Sequence, residues 1–201
     1  MKKSLAILAI ASALILTGCS QSNEAASVGD FKISQTELQA SIDAVLAERS
    51  SVDTTQMQLE TGEDLNRGQL RFKILMHTFD EIALELKIEP TSAEIENKRA
   101  QIIDSVGGET QLPVNLVNAA IAQKDFDTYV KALVISDKIG AALVDSGVAE
   151  EEVGNQLGQL LSAKAAELKV VINPRYGFWD TEIGDVVAAN VTGDAVAPSA
   201  D

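Results

Sequence analysis

Residues 169–180 read KVVINPRYGFWD, and this stretch decides how the chain closes. Residues 169–172 are a short β-branched run, a composition typical of a strand. Pro174 ends the run, because proline has no N–H to donate to a neighbouring strand. A single strand cannot satisfy its own backbone, so it needs a partner elsewhere in the chain. The other strand candidate is VGDFKI, residues 28–33. Together the two predict a small two-stranded sheet that joins the N- and C-terminal ends.

Almost all of the sequence between these strands has the apolar spacing of helices. Ser34 with Glu37 and Thr91 with Glu94 form two capping boxes, in which each side chain accepts the free backbone N–H of the other residue. Asn66 is a third candidate cap. We predict a mainly α fold with the small sheet at its ends. The predicted helices span residues 34–49, 66–87, 91–106, 113–123, 125–146 and 150–168, with a loop over 50–64.

The N-terminus has the pattern of a secreted lipoprotein. Lys2 and Lys3 precede an apolar run, residues 5–16, which is too short to span a bilayer and is typical of a signal peptide. The run ends in LTGC, residues 16–19, which resembles the bacterial lipobox, where the cysteine thiol takes up diacylglycerol. We predict a signal peptide over residues 1–18, lipidation at Cys19 and a polar tether over residues 19–27. An ordinary signal peptide with an accidental cysteine is the alternative.

Lipidation would hold the mature protein at the cell membrane, on its extracytoplasmic or periplasm-facing side. Cleavage removes Lys2 and Lys3 from the 16 basic residues, so 14 basic and 30 acidic residues remain, a net charge of −16. Such a surface repels nucleic acid, and we expect no nucleic-acid partner. Residues 181–201 are small and acidic without a pattern, and we predict a disordered acidic tail.

Few residues have catalytic or metal-binding potential. His77, the only histidine, is interpreted as a structural or solvated residue, with a general base or ligand as the alternative. Glu150, Glu151 and Glu152 are candidates for a metal site, but acidic residues at a helix N-terminus also favour the helix dipole. The sequence shows no Ser/His/Asp set, Cys/His pair or phosphate loop. We therefore predict no enzyme activity, no metal and no cofactor.

Three segments together resemble the N-terminal domain of the SurA family of extracytoplasmic chaperones. They are VGDFKISQTELQASIDAVL (28–46), ELKIEPTSAEIENK (85–98) and NPRYGFWD (173–180). The resemblance implies a SurA N-terminal-like helical domain over residues 28–180. The third segment would close this domain through Asn173, Pro174, Arg175, Tyr176, Gly177 and Trp179. Proteins similar to SurA and PrsA bind unfolded or partly folded exported proteins.

Many members of this family also carry a β-rich parvulin isomerase module with paired histidines. Here residues 91–168 are predicted to be helical almost throughout, and there is one histidine, so the module is missing from this sequence. The resemblance then implies a chaperone without catalysis. We expect surplus apolar positions at residues 72–86 and 126–139 to bind unfolded exported proteins. The alternatives are an envelope subunit that binds one folded partner, a degenerate peptidyl-prolyl isomerase, and an unrelated hydrolase.

We expect the substitution Cys19→Ala to leave an unprocessed precursor, because the thiol is the acceptor of the lipid. Intact-mass spectrometry of the membrane fraction measures this outcome. The unsubstituted protein should begin at residue 19 and carry the mass of its acyl chains. A mature N-terminus at another residue, without acyl mass, would contradict the prediction.

Overall fold

The computed structural model describes residues 23–189, and this part of the chain is mainly helical, as predicted. The helices are α1 (Gln35–Arg49), α2 (Gly62–Leu86), α3 (Ser92–Ser105), α4 (Leu112–Asn118), α5 (Phe126–Asp145) and α6 (Val153–Glu167). The strands are β1 (Glu24–Val28), β2 (Phe31–Ser34), β3 (Val171–Ile172), β4 (Phe178–Asp180) and β5 (Asp185–Val187). Short 3₁₀ turns, Gln123–Asp125 and Glu150–Glu152, precede α5 and α6.

An antiparallel sheet joins the two ends of the helical body. Its strand order is β2-β1-β3, and β1 pairs with β3 through Ala26 with Ile172 and Ser27 with Val171. The predicted connection between the ends is therefore present, but the sheet has three strands instead of two. The prediction of a single strand over residues 28–33 is wrong. Gly29 has a φ of +59° and turns the chain, so these residues are divided between two strands of a hairpin.

The predicted tether over residues 19–27 is wrong where it overlaps β1. Ala25, Ala26 and Val28 are buried in a core cluster with Ile33 and Leu38. The segment resembles a linker in composition because its side chains are small. Small side chains also allow a central strand to pack closely against a helix, and β1 contacts α2. Burial of this strand therefore follows from its neighbours and not from its own hydrophobicity.

A second sheet, of two strands, follows the closing strand. β4 pairs with β5 through Trp179 with Val186, and Val186 is buried. The disordered tail predicted over residues 181–201 is therefore wrong for residues 181–189, and its remainder lies outside the described residues. Gly177 directly precedes β4, at a point where the backbone passes close to β5. Its φ is +118°, and a Cβ atom there would lie 1.9 Å from the backbone oxygen of Val187.

Both predicted capping boxes are confirmed. The Ser34 N–H donates to Glu37 Oε2 at 2.8 Å, and the Glu37 N–H donates to Ser34 Oγ at 3.1 Å. The second box has the same arrangement, with 2.8 Å from the Thr91 N–H to Glu94 Oε2 and 3.3 Å from the Glu94 N–H to Thr91 Oγ1. These local patterns therefore fix the start of α1 and of α3.

The predicted limits of two other helices are wrong. α2 begins at Gly62, one turn before the predicted cap at Asn66. Glu63 and Asp64 occupy this extra first turn, where carboxylates favour the helix dipole, and Arg67 forms an ion pair with each. α4 ends at Asn118 instead of continuing to residue 123, because Ala120 adopts a left-handed φ of +53°.

α2 is the central helix, in contact with α1, α5, α6, β1 and β5. Its apolar face is buried, but Leu84 and Leu86 near its C-terminal end are 74% and 49% exposed. On α5, by contrast, no apolar side chain between residues 126 and 139 is exposed. The apolar residues of this segment are therefore mostly core, because α2, α3 and α6 pack around α5, and binding of exported proteins at residues 126–139 stays a prediction.

α3 is held by half-buried side chains and by ion pairs to α5. None of its residues is buried, and its half-buried isoleucines pack against the cluster around Phe126. The hydrogen bond from Lys138, together with those from Thr91, lowers the pKa of Glu94 to about 2. Three ion pairs connect α3 to α5: Glu94 with Lys138 at 2.6 Å, Lys98 with Asp137 at 2.7 Å, and Arg99 with Asp127.

We expect Glu94→Gln to lower the melting temperature at pH 7, because glutamine keeps the capping geometry but loses the charge that faces Lys138. The lowered pKa of Glu94 means that its charge stabilises the fold above about pH 4.5 and that this contribution is lost as the pH falls towards 2. The difference between variant and wild type should therefore shrink over that interval. Glu96→Gln, an exposed change on the same helix, is the control. A difference that is constant from pH 7 to pH 3 would count against the ion pair.

We expect Gly177→Ala to lower the free energy of unfolding by about 1–3 kcal/mol or more, because alanine is strained at this φ and its Cβ would meet the Val187 backbone. Gly154→Ala is the matched control. Gly154 lies within α6 with open space around it, so this change should be neutral or stabilising. Urea unfolding of the two variants measures both effects. Equal urea midpoints for the two variants would show that the backbone before β4 tolerates a side chain at residue 177.

Candidate functional site

The C-terminal groove is a depression between α2, α6 and the turn that joins β4 to β5. It has a volume of about 510 Å³. Leu75, Leu161, Trp179 and Ile183 supply its apolar surface. The polar lining comes from Arg71, Gln159, Ser162 and Glu182, and the glycines Gly158 and Gly184 also line it. An apolar depression with a polar border can accept an apolar side chain and can hydrogen-bond the chain that carries it.

The sequence of α6 explains why this depression is open. Gly158 faces it, and a Cβ atom there would meet nothing within 4 Å. α6 is nevertheless well anchored, because Lys164 is buried against α2 and forms ion pairs with Glu85 and Glu167. The hydrogen bond to Glu85 raises the pKa of Lys164 most, and the hydrogen bond to Glu167 raises it further. The helix is thus held in place while the surface at Gly158 stays open.

The turn between β4 and β5 forms the roof of the C-terminal groove. Asp180 Oδ1 accepts hydrogen bonds from the backbone N–H of Glu182 at 2.9 Å and of Ile183 at 3.4 Å. The Gly184 N–H donates to the Asp180 backbone oxygen at 2.9 Å. These bonds hold Ile183 in a position where it is 64% exposed. An isoleucine held outward at the edge of an apolar depression is suited to contact a second molecule.

Trp179 forms one wall of the C-terminal groove. Its side chain packs against the core cluster that contains β1, and it also lines the groove. The indole Nε1 is buried and has no hydrogen-bond partner within residues 23–189. A buried donor without a partner costs about 1–3 kcal/mol. Trp179 therefore offers the groove its ring surface, whereas its N–H donor lies inside the protein.

The other residues of the predicted closing motif hold the chain ends together. Asn173 donates its backbone N–H to the Ala25 oxygen and its side-chain Nδ2 to the Glu24 oxygen, both at 2.9 Å. Arg175 donates from Nη1 to Gln35 Oε1 at 2.9 Å, and its guanidinium lies 5.2 Å from the centre of the Tyr176 ring.

Pro174 completes the turn of the closing motif, since its backbone oxygen accepts from the Gly177 N–H at 3.2 Å. Pro174, Gly177 and the residues that hold the ends are structural contacts, and only Trp179 of the motif lines the C-terminal groove.

The remaining predicted candidates do not form a common site. Cys19 lies outside the described residues. His77 stacks on Phe31 with ring centres 4.2 Å apart, and its Nε2 lies 3.7 Å from Glu81 Oε1. The three glutamates at residues 150–152 are exposed in a 3₁₀ turn. Within residues 23–189, no group of three or more His, Cys, Asp or Glu side chains is arranged to hold a metal ion.

None of the helices within residues 23–189 is long and apolar enough to cross a membrane.

Two groove residues were missed or misplaced by the sequence analysis. Ile183 was assigned to a disordered tail, although DTEIGD between FWD and DVV has the pattern of a hairpin turn with a glycine. Gly158 has no signal of its own, because an open space beside a helix depends on what the rest of the chain leaves uncovered. The hairpin could thus be found from sequence, whereas the groove beneath it could not.

No protein-family model, curated protein or solved structure matches the chain. The resemblance to the SurA N-terminal family therefore stays a prediction that rests on the three segments quoted above.

Proposed function

We propose that the chain is a lipid-anchored, extracytoplasmic chaperone-like protein that binds unfolded or partly folded exported proteins without catalysis. The observation that carries this proposal is the C-terminal groove. Its apolar walls are accessible in the folded chain, and they belong to elements that are fixed by buried contacts. The sequence resemblance to SurA-type domains supports the same function, as does the N-terminal lipobox pattern.

The composition of the C-terminal groove suits weak and reversible capture of an unfolded segment. Its volume of about 510 Å³ lies within the range of about 300–1,000 Å³ that is common for binding sites. Leu75, Leu161 and Ile183 offer apolar contact that depends little on the sequence of the bound chain. Trp179 adds a flat aromatic surface that can pack against apolar groups of different shape. Neither contact requires a particular side chain, so binding would be broad.

The charge of the mature chain fits this role. With a net charge of −16 an exposed apolar groove stays soluble, because copies of the protein repel one another. Acyl chains on Cys19 would place the groove at the membrane surface from which exported chains emerge.

The second candidate function is that of an envelope subunit that binds one folded partner. The hydrogen-bonded roof of the groove favours it, because a rigid turn that presents Ile183 is suited to a complementary surface of fixed shape. The two candidates differ in breadth. A chaperone binds many unfolded chains weakly, whereas a subunit binds one folded protein tightly.

We expect residues 19–201, prepared without lipid as the Cys19→Ser form, to slow the aggregation of chemically different denatured proteins at near-stoichiometric ratio and without nucleotide. Gly158→Glu should abolish this protection, because the added side chain enters the C-terminal groove and brings a charge. Light scattering during dilution from denaturant measures the effect.

Gly154→Glu is the matched control for this assay. It changes the charge by the same amount on the same helix, also in open space, but Gly154 does not line the groove. Both changes replace a helical glycine by a better helix former, so neither should destabilise α6. Equal protection by the two variants would remove the groove from the proposal. Absence of protection for every denatured protein, with tight capture of one folded envelope protein, would establish the subunit function instead.

A further inference from the structure

A second depression, the aromatic cavity, lies between β2, α2 and the start of α5. It has a volume of about 240 Å³ and shares no lining residue with the C-terminal groove. Phe31 and His77 form a stacked pair at its edge, with ring planes 24° apart, and Phe31 is 42% exposed. Phe72, Met76 and Ile33 complete the apolar lining. The cavity is thus bordered by two phenylalanine rings and one imidazole, in a chain in which only 4% of the residues are Phe, Trp or Tyr.

The charged lining of the aromatic cavity is predominantly negative. Its carboxylates are Glu37, Asp80 and Asp125, and Lys73 is the one lysine that lines it. The Glu37 carboxylate is held charged, since hydrogen bonds from Ser34 and the nearby Lys73 lower its pKa.

The three carboxylates are not equally engaged. Asp80 Oδ1 is paired with Lys131 Nζ at 2.7 Å. Asp125 forms no ion pair within the described part of the chain, and its side chain does not cap α5. One carboxylate therefore stands beside the aromatic walls without a countercharge of its own.

We propose that the aromatic cavity binds a cationic side chain, an arginine, of a polypeptide partner. A guanidinium is flat and stacks on aromatic rings, which attract cations through their faces. Its N–H groups can also reach a carboxylate, here Asp125 at the border. The volume of about 240 Å³ admits one large side chain but not a folded element. Charge complementarity thus selects the occupant, since a neutral apolar side chain would leave the Asp125 charge partly desolvated and unpaired.

This inference goes beyond the proposed function, because it concerns a different site and a different chemistry. The C-terminal groove takes apolar side chains of any unfolded segment, whereas the aromatic cavity would select for positive charge. The two proposals are tested by different variants and different readouts, so one can fail without the other.

Two short peptides distinguish charge from shape: acetyl-Gly-Ser-Arg-Ser-Gly-amide and the same peptide with citrulline in place of arginine. Citrulline is nearly isosteric but neutral. The readout is the ¹³C-methyl resonance of Met76 in residues 19–201 prepared as the Cys19→Ser form. Met57 lies outside the cavity and is an internal control. We expect a saturable shift of the Met76 signal with the arginine peptide, no shift of Met57, and binding of citrulline that is weaker by about threefold or more.

Two pairs of variants complete the experiment. Asp125→Asn should weaken arginine binding by about two- to fivefold and leave citrulline unchanged, whereas Asp104→Asn, an exposed change of equal charge on α3, should have no effect. Phe31→Ala should weaken arginine binding, whereas Phe178→Ala, a similarly exposed phenylalanine outside the cavity, should not.

Three results would overturn the inference. The first is equal binding of the arginine and citrulline peptides, which would make the cavity an apolar site. The second is the same response of Asp125→Asn and Asp104→Asn, which would make the effect one of overall charge. The third is the absence of any shift at Met76 up to millimolar peptide.

Discussion

The structure depends on the contacts that hold two distant parts of the chain together. Asn173 contacts both Glu24 and Ala25, and the hydrogen bond of its amide to Glu24 spans 149 positions in the sequence. Closing so long a loop costs conformational entropy, although that cost grows only slowly with length. Once β3 is fixed beside β1, the chain that follows is directed back over the helical body. The hairpin of β4 and β5, and with it the roof of the C-terminal groove, exists only because this closure places it there.

Features that depend on neighbouring residues in the sequence were predicted well. The capping boxes at Ser34 and Thr91 are local, since each is made by two residues three positions apart. The joining of the two ends followed from a general constraint, namely that an isolated strand needs a partner. None of these inferences required knowledge of the tertiary structure.

Features that depend on the rest of the fold were predicted poorly. Ala25 and Ala26 have the composition of a linker, and only the proximity of α2 makes them core. The apolar residues of α5 seemed to exceed what one buried stripe requires, but three helices pack around α5 and bury them. The C-terminal groove is harder to predict from sequence, because it is an open space that the surrounding residues leave unfilled. Gly158 contributes to it by having no side chain, and periodicity cannot detect that.

Trp179 takes part both in the closure of the chain and in the wall of the C-terminal groove, which couples two equilibria. A ligand that binds only the closed form stabilises that form by RT ln(1 + [L]/Kd), about 2.7 kcal/mol when its concentration is a hundred times Kd. With a ligand in the groove, the molecule would therefore resist opening of its terminal sheets more than it does without one. Ligand binding and closure of the chain thus stabilise each other. Trp179 is the only tryptophan in the chain. Its intrinsic fluorescence thus reports on a single position, which both ligand binding in the groove and closure of the chain ends affect.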